Sequence, residues 1–226
     1  MNVRELIKWN ELRGSIPTIV QERSTSEIIV VSRLEQEKFE ELMEWWPNRS
    51  STPEPEWSSH AIPEELFIDC DADCLLIKTS FDRDQRNRCM AFFRPLTAFV
   101  PQDLFKGSGL ILAVTQDRVR KDVFMAAFMN EEALERTLSE GTVHYYSRKR
   151  QGLWEKGEES GNYQYLASVR GRYDAKAHAV ILNIDQIGGA ACHDGYRSCF
   201  YRKVEEDGSL KVISERVFNP SDVYKK

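Results

Sequence analysis

The sequence lacks long hydrophobic runs. Its unbroken apolar stretches are short, such as residues 110–114, so no segment is long enough to span a membrane, and no membrane partner is expected. The opening residues, MNVRELIKWNELRG, lack the apolar core of a secretory signal peptide, so we expect a cytoplasmic protein. Positive charge is not in excess either, because 31 lysines and arginines face 36 acidic residues. A nucleic-acid partner is therefore not expected, since no surplus of cations is present to neutralise phosphates.

Cysteine is sparse, with five residues in a chain of 226. In a cytoplasmic protein, such cysteines indicate metal ligation or buried thiols before disulfides. The chain is 41% hydrophobic and 30% charged, and no segment is a pure charge run. This composition predicts a folded chain with either one large domain or two small ones.

Two stretches of the chain resemble each other. Residues 20–40 read VQERSTSEIIVVSRLEQEKFE, and residues 115–135 read TQDRVRKDVFMAAFMNEEALE. At a fixed offset Gln21 meets Gln116, and both copies predict a turn, an apolar strand and an amphipathic helix. In the second copy Asn130 is a suitable N-cap for the helix. The pattern favours an internal repeat, with chance similarity between two αβ units as the alternative.

Two further local signals mark the organisation of the chain. The segment 95–109, PLTAFVPQDLFKGSG, has two prolines and two glycines and little periodicity, which is typical of a connection. We therefore divide the chain into residues 1–100 and residues 101–226. Near the C-terminus, Asp207-Gly208 predicts a tight turn between two short strands.

The first of three polar clusters is Asp69-Cys70-Asp71-Ala72-Asp73, which precedes an apolar run. If this stretch is a strand, its side chains alternate, so the three aspartates share one face and the cysteine lies on the other. Close carboxylates repel one another, and a hard cation such as Mg²⁺ would offset that repulsion. The cluster thus predicts a magnesium site, with an acidic, solvent-facing turn as the alternative.

The second cluster runs from Cys192 to Cys199 and reads CHDGYRSC. Two cysteines and a histidine surround a glycine turn, which suits Zn²⁺, although structural zinc sites usually have the shorter C-x₂₋₄-C spacing. Both a zinc site and a pair of buried thiols remain open from the residues alone.

The third cluster lies at residues 147–161 and combines cations, a tryptophan and glycines. Arginine binds phosphate through a planar fork of donors, and tryptophan can stack on a base. The pattern predicts a loop around a phosphorylated, planar ligand, with a charged hairpin as the alternative.

The residues of these three clusters resemble motifs of the phosphoribosyl-AMP cyclohydrolases of histidine biosynthesis. That family carries an SRSR-x-x-LW-x-KG-x-x-SG loop, a DCD-x-D strand and a CH-x-G-x-x-SCF motif. Residues 147–161 and 191–200 match the first and third motifs closely, and the resemblance covers residues 107–203 well and the first half more faintly. It implies a hydrolase that opens the adenine ring of phosphoribosyl-AMP between N1 and C6, so the expected partner is a small phosphorylated nucleotide.

The chain departs from the family in a complementary way. Where the second copy would carry DCD-x-D it has residues 174–178, DAKAH, while the intact motif lies in the first copy at residues 69–73. Conversely, the first copy has Asp84 and Ala91 where the second has its cysteines. Family members are homodimers whose zinc sites combine the strand cysteine of one subunit with the CH…C pair of the other. The resemblance therefore implies a pseudo-dimer within one chain, with one complete site.

The implied fold class is α+β, with two tandem divergent β-rich repeats, each with a helix, packed as a pseudo-twofold dimer of the cyclohydrolase fold. Zinc would be held by Cys70, Cys192 and Cys199, and magnesium by Asp69, Asp71 and Asp73. The expected substrate-binding residues are Ser147, Arg148, Arg150, Trp154, Lys156, Gly157, Ser160 and Gly161.

His193, beside a zinc ligand, is the expected catalytic residue for proton transfer, with bracing of the turn as the alternative role. Two other functions stay open: a non-catalytic descendant that binds zinc or a nucleotide, and a cyclohydrolase for another purine nucleotide. The second of these is suggested by residues 48–60, which have lost the family pattern and are rich in Pro and Ser. The sequence does not indicate whether the fused chain forms a further oligomer.

Overall fold

The computed structural model describes residues 1–51, 62–90, 93–96, 102–174 and 177–224. The α+β class predicted from the sequence is confirmed. The chain divides into two compact units: unit 1 comprises residues 1–91 and 200–213, and unit 2 comprises residues 92–199 and 214–226. Residues 200–213 thus belong to unit 1.

Unit 1 is built on a six-stranded sheet with the order β13-β12-β3-β4-β1-β2. Its strands are β1 (Ser15–Glu22), β2 (Ile28–Glu35), β3 (Glu65–Ile68), β4 (Leu75–Thr79), β12 (Arg202–Val204) and β13 (Leu210–Val212). Its helices are α1 (Val3–Leu6), α2 (Gln36–Trp45) and α3 (Arg83–Met90). Strand β4 is parallel to β1, and the other pairs are antiparallel.

The core of unit 1 forms between the sheet and α2. The buried residues of α2 are Phe39, Leu42, Met43 and Trp45, which the helical period places on one face. Every residue of β1 is buried, and the ring of Phe39 lies 5.2 Å from that of Trp9. Each large side chain fully buried in such a core contributes about 1.5–3 kcal/mol.

Unit 2 contains a five-stranded sheet with the order β5-β10-β11-β6-β7 and a separate hairpin, β8–β9. Its strands are β5 (Phe93–Pro95), β6 (Ile111–Asp117), β7 (Val123–Met129), β8 (His144–Ser147), β9 (Gly152–Glu155), β10 (Gln164–Asp174) and β11 (Ala177–Gln186). Its helices are α4 (Glu131–Glu140) and α5 (Pro220–Val223). Short 3₁₀ turns cover Trp46–Asn48 in unit 1 and Gln102–Phe105 in unit 2.

The two units use the same local order of elements. In unit 1, β1 pairs with β2 and a bulge follows Val20, and in unit 2, β6 pairs with β7 and a bulge follows Thr115. The glutamine after each bulge donates to a carbonyl in the adjoining turn, from Gln21 Nε2 at 2.8 Å and from Gln116 Nε2 at 2.7 Å. A helix follows the second strand in both units, as the sequence analysis predicted.

Two local predictions at the ends of elements are also confirmed. The side chain of Asn130 accepts a hydrogen bond from the backbone N–H of Ala133 at 2.9 Å and so caps α4. Residues 207–208 form the turn between β12 and β13. Within the described residues, no helix has both the length and the apolar character needed to cross a membrane.

Candidate active site

The loop from Cys192 to Cys199, called here the thiol loop, closes on itself. The backbone N–H of Cys192 donates to the carbonyl of Tyr196 at 3.1 Å, and the N–H of Cys199 donates to that of Phe124 on β7 at 2.7 Å. This folding brings Cys192 Sγ and Cys199 Sγ within 4.8 Å of each other, and both residues are buried. The wide spacing in sequence is therefore compatible with a common ligand.

The chemistry of the two sulfurs suits a metal. All five cysteines lie in the described part of the chain, and none of them forms a disulfide there. The backbone N–H of Asp194 donates a hydrogen bond to Cys192 Sγ at 3.4 Å. A pair of buried sulfurs close together, one of them a hydrogen-bond acceptor, can supply two soft ligands to an ion such as Zn²⁺.

An ion pair ties the thiol loop to the turn after β6. Arg197 Nη2 lies 3.0 Å from Asp117 Oδ2 and 3.5 Å from Asp122 Oδ2, and its guanidinium lies 5.0 Å from the ring of Phe124. Burial raises the pKa of Asp117, but hydrogen bonds from the N–H groups of Arg120 and Val119 and the charge of Arg197 outweigh it and lower that pKa overall.

His193 projects from the thiol loop with its side chain 56% exposed. Its Nε2 lies 3.7 Å from Asp194 Oδ1. A neighbouring carboxylate can orient an imidazole, so the geometry is compatible with the proton-transfer role expected from the sequence as well as with bracing of the turn.

In unit 1 the Asp69–Asp73 segment is a turn and not a strand, and the sequence leaves both conformations open. Strand β3 ends at Ile68 and β4 begins at Leu75, and Ala72 adopts a positive φ of 58°. The three aspartates therefore do not share one face: Asp69 is buried, Asp71 is exposed and Asp73 is half-buried.

Asp69 holds this turn together. Its Oδ1 accepts hydrogen bonds from the backbone N–H groups of Asp73 and Cys74, both at 2.9 Å. Burial and the adjacent charge of Asp73 raise the pKa of Asp69 well above its ordinary value. One aspartate is thus committed to the backbone, while the close carboxyl groups of Asp69 and Asp73 would still be stabilised by a cation.

Two cysteines in this region differ in character. Cys70 is half-buried, with Sγ 3.9 Å from Asp71 Oδ2. Cys74 is buried, and that burial, reinforced by the charges of Asp69 and Asp73, raises the pKa of its thiol well above the ordinary value. Cys74 is therefore the less suited of the two to act as a thiolate.

The cationic part of the third cluster lies in the turn of the β8–β9 hairpin. Ser147 Oγ accepts from the backbone N–H of Arg150 at 3.1 Å. Both predicted arginines are exposed: the guanidinium of Arg148 lies 4.2 Å from the ring of Phe128, and that of Arg150 lies 6.0 Å from the ring of Trp154. Both guanidinium groups therefore lie at the surface, where an anionic ligand can bind them.

Trp154 and Lys156 lie deeper. The ring of Trp154 is half-buried and lies 5.0 Å from that of the buried Tyr145, so at least one side of the tryptophan packs within unit 2. Lys156 is buried, and its backbone N–H donates to Val143 at 2.9 Å. Gly157, half-buried Ser160 and exposed Gly161 complete the loop before β10.

Two glutamine side chains that no sequence motif marked, buried Gln164 and half-buried Gln186, support that loop. Gln164 accepts from the Tyr145 hydroxyl at 3.0 Å and donates to Gln186 Oε1 at 2.9 Å. Gln186 Nε2 in turn donates to the carbonyls of Asn162 and Tyr163. A polar residue at the start of a strand is the one signal that could have marked Gln164 in the sequence.

Comparison with known proteins places this geometry in context. The family model described as phosphoribosyl-AMP cyclohydrolase matches residues 125–201. The chain is 50% identical over 130 residues to the phosphoribosyl-AMP cyclohydrolase of Oleidesulfovibrio alaskensis, covering 58% of this chain and 97% of the relative. It is 52% identical over 120 residues to the enzyme of the same name from Methanococcoides burtonii, covering 53% of this chain and 93% of the relative. The matched residues include the whole thiol loop and the third cluster.

Proposed function

Since the chain belongs to the phosphoribosyl-AMP cyclohydrolase family, hydrolases of histidine biosynthesis, we propose that it opens the adenine ring of phosphoribosyl-AMP by hydrolysis between N1 and C6. The observation that carries this proposal is the pair of buried sulfurs, Cys192 and Cys199, held within 4.8 Å inside the family-matched segment. The nearby β8–β9 hairpin supplies the cations that a substrate with two phosphates needs.

We propose that Cys70 completes a zinc site with Cys192 and Cys199. The register of unit 1 supports this, because Arg202 of β12 pairs with Ile68 of β3 and the Arg202 guanidinium donates to the carbonyl of Asp69. Arg202 follows Cys199 by three residues and Asp69 directly precedes Cys70, so these contacts hold the chain that follows Cys199 beside the start of the turn that carries Cys70.

Cys70, Cys192 and Cys199 would hold the zinc ion, which when bound would supply a water molecule activated near neutral pH. Side chains of this protein would bind the substrate and transfer the proton. Arg148, Arg150 and Lys156 would bind the phosphates, and Trp154 would bound the space for the base from its packed position on Tyr145. His193, with Asp194 at 3.7 Å, would carry the proton between water and the ring nitrogen.

Magnesium would be held by the carboxylates of Asp69, Asp71 and Asp73, but one oxygen of Asp69 is already used by the backbone of the turn. The exposed carboxylate of Asp71 and the close carboxyl groups of Asp69 and Asp73 suit a hard cation. Asp69 would bind the cation through Oδ2, because its Oδ1 accepts the hydrogen bonds from the backbone of the turn.

We further propose that the chain is an internally duplicated cyclohydrolase, with complementary losses in its two halves. Supporting this, about 58% of the chain accounts for 97% of the Oleidesulfovibrio relative, and unit 1 repeats the bulged strand pair and helix of unit 2. Asp84, at one of the expected cysteine positions of the first copy, lies on α3 and carries no thiol. The other two altered positions, 91 and 175, lie outside the described residues.

Metal content and turnover together test the proposal. The wild-type chain should bind one zinc and convert phosphoribosyl-AMP, followed by ultraviolet absorbance. Cys70→Ser and Cys192→Ser should both lose zinc and turnover, while Cys89→Ser on α3 should keep both. Two zinc ions per chain would contradict the single asymmetric site, and near-normal turnover by Cys70→Ser would remove that residue from it.

A further inference from the structure

The side chains of Tyr145, Gln164 and Gln186 form a connected set of hydrogen bonds in unit 2, called here the amide network. Gln164, the first residue of β10, pairs in register with Gln186, the last residue of β11. Gln164 is fully buried, and its Nε2 donates to Gln186 Oε1 at 2.9 Å. A polar side chain buried in this way needs a partner for each of its groups, so the network can be followed outward from Gln164 in both directions.

Three backbone carbonyls fix the orientation of the Gln186 amide. Its Nε2 donates to the carbonyl oxygens of Asn162 at 3.2 Å, Tyr163 at 3.1 Å and Ile187 at 2.8 Å. The amide oxygen cannot take this place, because it would face three other acceptors. The oxygen of Gln186 is therefore directed at Gln164, which must present its own nitrogen to it.

The same constraint passes on to the Tyr145 hydroxyl. Because the Gln164 nitrogen bonds to Gln186, only Oε1 of Gln164 is left for Tyr145, whose hydroxyl donates to it at 3.0 Å. Tyr145 is fully buried, and this burial raises the pKa of its hydroxyl well above the ordinary value, so the donated proton is retained. The three carbonyls thus decide which group donates and which accepts throughout the amide network.

The two ends of the amide network contact two different parts of the proposed substrate site. At one end the ring of Tyr145 lies 5.0 Å from that of Trp154. At the other end Gln186 holds the backbone of residues 162–163, directly after the loop of residues 157–161, called here the substrate loop. That loop packs tightly on the held backbone, since a Cβ at Gly157 would lie 2.6–2.7 Å from backbone atoms of residues 162 and 163.

We propose that Gln164 is a positioning residue for the substrate, because its hydrogen bonds couple the position of Trp154 to that of the substrate loop. This inference rests on the proposed function, in which Trp154 bounds the space for the base and the substrate loop binds the nucleotide. A ligand that contacts both elements binds more tightly when their separation is fixed before it arrives. Gln164 acts through Tyr145 and Gln186, since its own side chain is fully buried.

Two variants of the full-length chain test this role. Gln164→Met keeps the length of the side chain but removes its hydrogen bonds, and it should raise KM for phosphoribosyl-AMP about tenfold with kcat within about twofold. Tyr145→Phe removes one bond and leaves the ring beside Trp154, so it should raise KM about threefold. Tyr146→Phe is the matched control, because its hydroxyl donates to Gln151 Oε1 at 3.2 Å, outside the amide network, and it should leave KM unchanged.

Two measurements on the protein without substrate show the coupling directly. Hydrogen–deuterium exchange at residues 157–163 should become faster in Gln164→Met and Tyr145→Phe, and the fluorine NMR resonance of Trp154 in fluorotryptophan-labelled protein should shift. Tyr146→Phe should change neither. In the Gln164→Met background, Tyr145→Phe should add little to either effect, because the bond between the two residues is already broken.

Tyr145→Phe removes a single oxygen atom, so it still decides the question if Gln164→Met fails to fold. A wild-type exchange rate or a wild-type Trp154 resonance in Tyr145→Phe would overturn the inference. Faster exchange with wild-type KM would overturn it as well, since the bonds would then stabilise the fold without positioning the substrate. If the wild type shows no turnover, the proposed function fails, while exchange and the fluorine resonance still decide whether Gln164 couples Trp154 to the substrate loop.

Discussion

Two glycines of the substrate loop provide a matched pair of perturbations. Gly157 and Gly161 both have positive φ, at +102° and +71°, and both are predicted to bind substrate. A Cβ at position 161 would meet nothing within 4 Å, whereas a Cβ at position 157 would lie 2.6–2.7 Å from backbone atoms of Asn162 and Tyr163. An alanine at position 161 therefore places its methyl group in open space, whereas an alanine at position 157 places the same group against backbone atoms.

The expected magnitudes follow from this difference. Gly161→Ala carries only the conformational cost of a non-glycine residue at positive φ, about 1 kcal/mol. Gly157→Ala adds a backbone displacement of the kind that overpacking causes, about 1–3 kcal/mol more. For a chain of this size, 1 kcal/mol corresponds to about 2–4 °C in Tm. We expect a loss of about 2–4 °C for Gly161→Ala and at least twice that for Gly157→Ala.

Thermal unfolding followed by circular dichroism measures the stability difference, and steady-state kinetics on the same samples measures KM. The loop shift caused by Gly157→Ala should raise KM about tenfold or more, because Ser160 would move with it. Equal losses of Tm in the two variants, or a larger loss in Gly161→Ala, would refute the reasoning from the close backbone contact.

Two other substitutions test the elements that support the site. Asn130→Ala should lower the stability of unit 2 by about 1 kcal/mol, because the cap to Ala133 is lost, and Asn130→Asp should retain it; chemical denaturation measures both. Asp117→Asn should cost stability at neutral pH, and the difference from wild type should shrink as pH falls below about 4. The sign follows from the lowered pKa of Asp117, whose stabilising charge is lost as the folded carboxylate takes up a proton. A difference that stays constant from pH 7 to pH 3 would contradict this assignment.

The sequence by itself determined the parts of the protein that depend on near neighbours. The helical period and the Asn130 cap predicted α4, and Asp207-Gly208 predicted the last hairpin, because these signals act within a few residues. The thiol loop and the third cluster could also be recognised in the sequence as candidate site segments, because each is a compact run of chemically distinctive residues.

Other features required the tertiary structure, because they depend on distant parts of the chain. The sequence left open whether residues 69–73 form a strand or a turn. In the structure Asp69 is buried and accepts hydrogen bonds from the backbone N–H groups of residues 73 and 74, which holds the segment as a turn. Strand β12 belongs to unit 1 because its backbone pairs with that of β3, which lies more than 130 residues earlier in the chain. The C-terminal segment, residues 214–224, approaches the thiol loop closely because Gly195 has no Cβ to meet the carbonyl of Phe218, a packing relation that no local pattern encodes.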